Sequence, residues 1–219
     1  MATHLILAPH HDDAEFGLGI AIQNWLGKGD EVVVLVACTG DYIRQDGTMV
    51  RGFTRSQESE AAFKYLGITK YGFQDWFKEN KGLDADYGFV VSQIEKAVDH
   101  FNPTDTYVCL PSFNQDHRAL YDATITAFRP GGAKGNLHAY EYPGNQWHQE
   151  LPTYGRRYHR GNSQSMSSKA TALKLHETQF KDRVGGVDPA FAYNLGAIRG
   201  HEIGAPFAEV TFVIKEIVN

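Results

Sequence analysis

Cysteine is scarce. The 219 residues carry only Cys38 and Cys109, each inside an apolar strand-like run, so both read as small buried hydrophobes, and neither a disulfide nor a cysteine nucleophile is expected. Long apolar runs are missing as well: no stretch approaches the roughly 20 residues of a membrane span. The segment Ala2-Thr3-His4-Leu5-Ile6-Leu7 has no basic n-region and no cleavage site, so a soluble, cytoplasmic protein is the expectation. Positive charge is not in excess. Lys and Arg total 21 against 26 Asp and Glu, a formal charge of -5, which removes the electrostatic footprint of a nucleic-acid polymer binder. Neither an internal repeat nor a low-complexity segment is present. Histidine, at ten residues, is plentiful.

Apolar runs alternate with helix-like windows. Residues 3–8 read as a buried strand, 14–27 as a helix stopped by Gly27-Lys28-Gly29, and 31–37 as a second strand. Thr54 as a cap, with Gln57 and Glu58 behind it, predicts a helix over 54–66 that Gly67 ends. A strand at 71–73, a helix at 87–101, a strand at 106–110 and a helix at 116–128 continue the pattern. Helices between strands imply parallel pairing, hence a Rossmann-like, doubly wound α/β sheet, mostly parallel, with helices on both faces. From 129 to 168 the texture changes, through Pro130-Gly131-Gly132, Pro143-Gly144-Asn145 and Gly155-Arg156-Arg157. With one short strand at 139–142, this region reads as a loop-rich cap over the pocket. A helix at 168–180 and a closing strand at 208–217 complete one domain over 1–219.

Such sheets carry their pockets beyond the carboxyl ends of the strands. There, after the first strand, stand Pro9-His10-His11-Asp12-Asp13, with Ala14-Glu15 opening the helix. Acidic residues at a helix start can be simple caps, which leaves two adjacent histidines unexplained. Gly17-Leu18-Gly19 suggests a dinucleotide loop, but Ile22 stands where a third glycine belongs, and three carboxylates would repel a pyrophosphate. A metal accounts for every member: His10 and Asp13 can converge from one turn, imidazole with carboxylate suits zinc, and Asp12 is available as a base. Spacing alone leaves the roles of Asp12 and Asp13 interchangeable. The strand 106–110 leads into Asn114-Gln115-Asp116-His117, so His117 lies on the same rim as the natural third ligand, where a lone histidine would otherwise be a surface or capping residue.

These residues resemble a known family. Pro-His-His-Asp-Asp-Ala-Glu-Phe-Gly-Leu-Gly at 9–19 is similar to the signature of the PIG-L (LmbE-like) zinc-dependent N-deacetylases, and Gln115-Asp116-His117 to the end of its second motif. Arg55, Glu58, Ala62, Leu66 and Gly67 match its Arg-x-x-Glu spacing before Leu-Gly. Gly72-Phe73-Gln74-Asp75 resembles its Gly-Phe-Pro-Asp segment, and Lys169, Ala172, His176 and Gln179 fit its late helix. The resemblance implies His10, Asp13 and His117 as ligands of Zn2+, Asp12 as general base, and Arg55 and Asp75 as pocket residues for sugar hydroxyls or an anionic group. This chain departs at Asn114, where many members carry a histidine that polarises the carbonyl or assists the leaving amine. An amide donates a hydrogen bond but transfers no proton. Asp116 would then fix Asn114 or a ligand histidine, and His201, in Arg199-Gly200-His201-Glu202, is a candidate replacement acid.

The expected reaction is hydrolysis of an N-acetylated sugar, free, nucleotide-linked or conjugated, by a zinc-activated water whose proton Asp12 removes. The expected partner is thus a small molecule, and a homo-oligomer is compatible with it. Tyr154-Gly155-Arg156-Arg157-Tyr158-His159-Arg160 concentrates cations in an acidic chain. It reads either as a solvated basic loop or as one in which Arg156, Arg157 and Arg160 hold a phosphate and Tyr158 stacks on a base. Two rival readings are a zinc amidase for another small amide, such as a thiol-sugar conjugate, and a nucleotide-binding module that holds no zinc.

Overall fold

The apolar run Thr3–Ala8 forms β1, and its side chains alternate between two cores: Ile6 and Ala8 enter one, Leu5 and Leu7 the other. A strand buried on both faces has no polar side to show, which is why the run is continuous. The same holds for β2 (Glu31–Val36). In this computed structural model, which describes residues 1–44, 46–74, 82–142, 155–179 and 188–218, helices cover both faces. α1 (Asp13–Gly27) and α2 (Gly52–Leu66) bury Leu18, Ile22, Phe63 and Leu66 against one face. On the other, α3 (Tyr87–Phe101) and α4 (Gln115–Ala127) bury Val90, Ile94, Val98 and Leu120. No helix among the described residues is long and apolar enough to cross a membrane.

The hairpin β3 (Tyr42–Ile43) and β4 (Met49–Val50) stands apart from the main sheet and had no counterpart in the sequence reading. The main sheet takes β5 (Lys70–Phe73), β6 (Asp105–Cys109), β7 (Asn136–Tyr140), β8 (Gly155–Gly161) and β9 (Phe207–Lys215), in the order β5-β2-β1-β6-β7-β9-β8. The first five are parallel, as expected, while β9 pairs antiparallel with both β7 and β8. Chain order places β1 at the switch point, with β2 on one side and β6 on the other. Loops leaving those two strands diverge and open a crevice.

Two expectations change. The basic run is not a loop over the pocket but β8, whose charged and aromatic side chains suit a sheet edge. Within 129–168 the described residues are thus largely β7, β8 and the start of α5 (Ser163–Lys174), and 143–154 lie outside the described residues. A sixth helix, α6 (Pro189–His201), was not read from the sequence although Asp188 caps it and Pro189 opens it.

α1 is held in an unusual way. The Lys169 ammonium of α5 donates to the Phe16 carbonyl and to Glu209 Oε1, both at 2.6 Å, and Glu209 of β9 accepts the N–H groups of Ile20 and Ala21 at 2.9 and 2.8 Å. Both side chains thus reach backbone groups in the middle of the helix. Gly17 and Gly19 leave room for this: a Cβ at Gly17 would lie 2.2 Å from a Tyr140 ring carbon, and one at Gly19 2.8 Å from Lys169. Gly17→Ala is therefore expected to lower the unfolding free energy by about 1–3 kcal/mol, read as a lower urea midpoint with an unchanged m value. An unshifted midpoint would mean that α1 and β7 separate at no cost.

Candidate metal centre

The sheet brings together what the chain separates. β1 delivers His10 and the turn that opens α1, and the neighbouring β6 delivers the loop that opens α4 with His117. His10 Nδ1, Asp13 Oδ2 and His117 Nε2 form a near-equilateral triangle with edges of 3.4, 3.3 and 3.4 Å. Three ligand atoms about 2.0–2.1 Å from one zinc ion, disposed tetrahedrally, lie about 3.3–3.4 Å apart. The triangle is the right size.

Its protons are also in the right places. His10 Nε2 lies 3.0 Å from Asp116 Oδ2, and a carboxylate only accepts, so Nε2 carries the hydrogen and Nδ1 presents a lone pair in the neutral ring. Cys109 donates its thiol hydrogen to the Leu110 carbonyl at 3.3 Å, which leaves its sulfur to accept from His117 Nδ1 at 3.4 Å and bares His117 Nε2. Two lone pairs and a carboxylate oxygen thus face one another. Asp13 Oδ1 adds a buried acceptor without a hydrogen-bond partner. The local field favours a cation: burial disfavours a charged His10, yet hydrogen bonds to Asp116 and Asp13 raise it to about 9. Burial would raise Asp13 too, but His117 and His10 hold it well below the ordinary carboxylate range. The His10 side chain is 17% exposed against 3% for His117 and 1% for Asp13, so the centre opens to solvent along His10.

The surroundings fix these ligands. Asp116 accepts from the Leu83 N–H at 2.9 Å with its other oxygen, and a Cβ at Gly82 would stand 2.7 Å from that oxygen, so the close approach needs glycine. Asp116 therefore holds the ring of His10, a candidate ligand, rather than Asn114. Asn114 caps α4, its Oδ1 accepting the Asp116 N–H at 2.8 Å. Asp12 precedes α1 without a capping hydrogen bond, which leaves the carboxylate unspent on the helix. Arg55 is buried over the Tyr42 ring at 5.1 Å, with its Nε unpartnered, and its charge opposes protonation of His10 and His11. His11 is structural: its Nδ1 meets Ser59 at 2.8 Å, and burial and then Arg55 lower it to about 2.

Other expected site residues are not brought to the triangle. Arg157 pairs with Glu216 and lies 3.9 Å from Asp105, the first residue of β6, at the end of the sheet opposite the triangle. Arg156 stands 5.9 Å over the Phe212 ring, Arg160 is exposed on the same edge strand, and the Tyr158 hydroxyl donates to Glu202 at 2.8 Å instead of stacking on a base. A phosphate held there would be remote from the crevice. His201 is exposed at the end of α6, with no described hydrogen bond or ion pair to the cluster. Asp75 lies outside the described residues. Two neighbours have partners that the sequence did not reveal: Cys109, expected as a small buried hydrophobe, turns its sulfur to His117, and Glu15, expected as a helix-start acid, pairs with buried His176 at 2.9 Å.

Comparison with known proteins agrees with this geometry. No curated protein sequence matches the chain. Among solved structures, the A40926 pseudoaglycone deacetylase Dbv21 is 21% identical, with 99% of this chain and 98% of that one covered and a TM-score of 0.75. The N,N'-diacetylchitobiose deacetylase from Pyrococcus horikoshii is 18% identical over 97% and 84%, TM-score 0.72. GalB, the 4-carboxy-2-hydroxymuconate hydratase from Pseudomonas putida KT2440, is 16% identical over 100% and 98%, TM-score 0.73. A hydratase beside deacetylases shows that likeness at this level carries the fold and not the reaction. The family model described as PIG-L, GlcNAc-PI de-N-acetylase, matches residues 5–128, from β1 through the end of α4, and so takes in all three corners of the triangle. The chain belongs to the PIG-L family.

Proposed function

We propose that the chain is a zinc-dependent hydrolase that removes the acetyl group from an N-acetylated sugar, releasing acetate and an amino sugar. The observation that carries this reading is the triangle of His10 Nδ1, Asp13 Oδ2 and His117 Nε2, which fits one small cation with a position left open. The family description and the names of the two deacetylases support an acetylated amino sugar as the substrate class. When bound, zinc lowers the pKa of a water towards roughly 7 and polarises an acyl oxygen.

The chain's own residues supply the remaining steps. Asp12, beside the ligand Asp13, takes the proton of the attacking water and afterwards returns it to the departing amine. Asn114 has its oxygen fixed by the helix, which leaves its amide nitrogen to donate to the developing oxyanion. Arg55 offers a buried, unpartnered donor to a sugar hydroxyl or a neighbouring anionic group, and Asp75 is assigned a similar binding role. With His201 exposed on α6, the proton returned to the amine is assigned to Asp12.

Acetate release from a panel of N-acetyl sugars and nucleotide sugars tests the reading, and a zinc-replete protein inactive on the whole panel would count against it. His117→Ala should lose its zinc, whereas Asp12→Asn should keep it and lose nearly all turnover, as metal analysis with an acetate assay reads; loss of metal in Asp12→Asn with retention in Asp13→Asn would exchange the roles of the two aspartates. Asn114→Ala should cost on the order of 3 kcal/mol, about 100-fold in kcat, with KM little changed. A fully active Asn114→Ala would remove that residue from the oxyanion site. Asp116→Asn should weaken zinc binding by roughly 10–100-fold, measured by competition with a chelator, and unchanged affinity would deny it the orienting role.

A further inference from the structure

His10 has a second edge, turned away from the triangle. A ring nitrogen of His10, a carboxylate oxygen of Asp116 and the Cys38 sulfur lie within 4.8 Å of one another. The nitrogen on that side is Nε2, 3.0 Å from Asp116 Oδ2. One thiol, one imidazole and one carboxylate make a mixed donor set suited to zinc and to thiophilic ions such as cobalt or cadmium. The set is held in place by the fold. Asp116 Oδ1 is engaged by the Leu83 N–H, which keeps Oδ2 towards the ring, and the Cys38 N–H donates to the Pro9 carbonyl at 2.9 Å, tying the cysteine to the loop that carries His10. Cys38 is half-buried, and burial and then Asp116 push its thiol well above the ordinary range, so an ion must displace its proton, whereas Cys109 is fully buried and engaged with Leu110 and His117.

We propose that Cys38, Asp116 and His10 Nε2 form a second site, for a thiophilic divalent cation, that fills after the centre at His10, Asp13 and His117. The proposal rests on the reading of that centre as a metal site. The second ion binds as the Cys38 thiolate and replaces the hydrogen on His10 Nε2, so two protons leave to solvent and the ring lies between two cations. Repulsion between those cations makes the second ion the weaker. Its binding also takes Asp116 from the hydrogen bond that orients His10, which ties the new site to the first.

Cobalt alone is the probe. The metal-stripped full chain, titrated with Co2+, should give ligand-field bands with the first equivalent and a thiolate-to-cobalt charge-transfer band in the near ultraviolet only with the second. Cys38→Ser should keep the first set and lose the charge transfer completely. His117→Ala should lose the first set and keep the charge transfer. The proposal is overturned if no charge-transfer band arises at several equivalents, if it survives Cys38→Ser and so belongs to Cys109, or if it arrives with the first equivalent. Ligand-field bands unaltered in His117→Ala would fault the first centre, while the Cys38→Ser spectrum would still decide the second.

Discussion

Two imidazole lone pairs and a buried carboxylate oxygen, brought to within 3.4 Å of one another, repel unless something positive stands between them. Everything near the mouth of the crevice arranges that confrontation. Asp116 and Cys109 take the hydrogens of the far ring nitrogens, so that in the neutral rings the near ones present lone pairs. Gly82 lets the chain close on Asp116, and Arg55 adds a positive field that works against protonation of His10 and His11. Here the fold holds them in the arrangement that a cation needs.

That arrangement is anchored from behind. The turn carrying Asp12 and Asp13 is the beginning of α1, and α1 is gripped a turn later by the buried pair of Lys169 and Glu209, both under 5% exposed. Two charges buried so deeply cost several kcal/mol to desolvate unless every lone pair and proton is used. Here they are used on backbone groups of the helix itself, so that the pair fixes where the turn can sit. Arg199 and Glu141, paired at 2.8 and 2.5 Å, hold α6 to the end of β7 in the same layer.

The parallel core was legible because its signals are local: runs such as Ile6 to Ala8 and Val32 to Val36 are apolar throughout, and glycines mark the helix ends. That His10, Asp13 and His117 meet was legible because two of them lie in one turn and the third follows another strand of the same rim. Charge concealed β8, since Arg156, Arg157 and Arg160 look like a solvated loop until β9 is placed beside them. Long range concealed the rest. Ten histidines in a sequence carry no label for depth: His10, His11, His117 and His176 gather near the mouth, whereas His4 and His138 are buried around Asp105 at the other end, each paired with that carboxylate. Only the sheet order separates the two groups.

The grip on α1 has a consequence in time. The turn that holds Asp12 and Asp13 is made early in this chain, but the carboxylate that fixes the helix behind it, Glu209, follows Ile20 by 189 residues. β9, which bears that carboxylate, is also the strand that joins β7 to β8. A nascent chain that has made His10, Asp13 and His117 therefore has an unsupported helix and an open sheet edge, and closing so long a loop is slow. The order of the triangle and the closure of the sheet are thereby tied together: the helix that carries Asp13 has its full support only when Glu209 and β9 are in place.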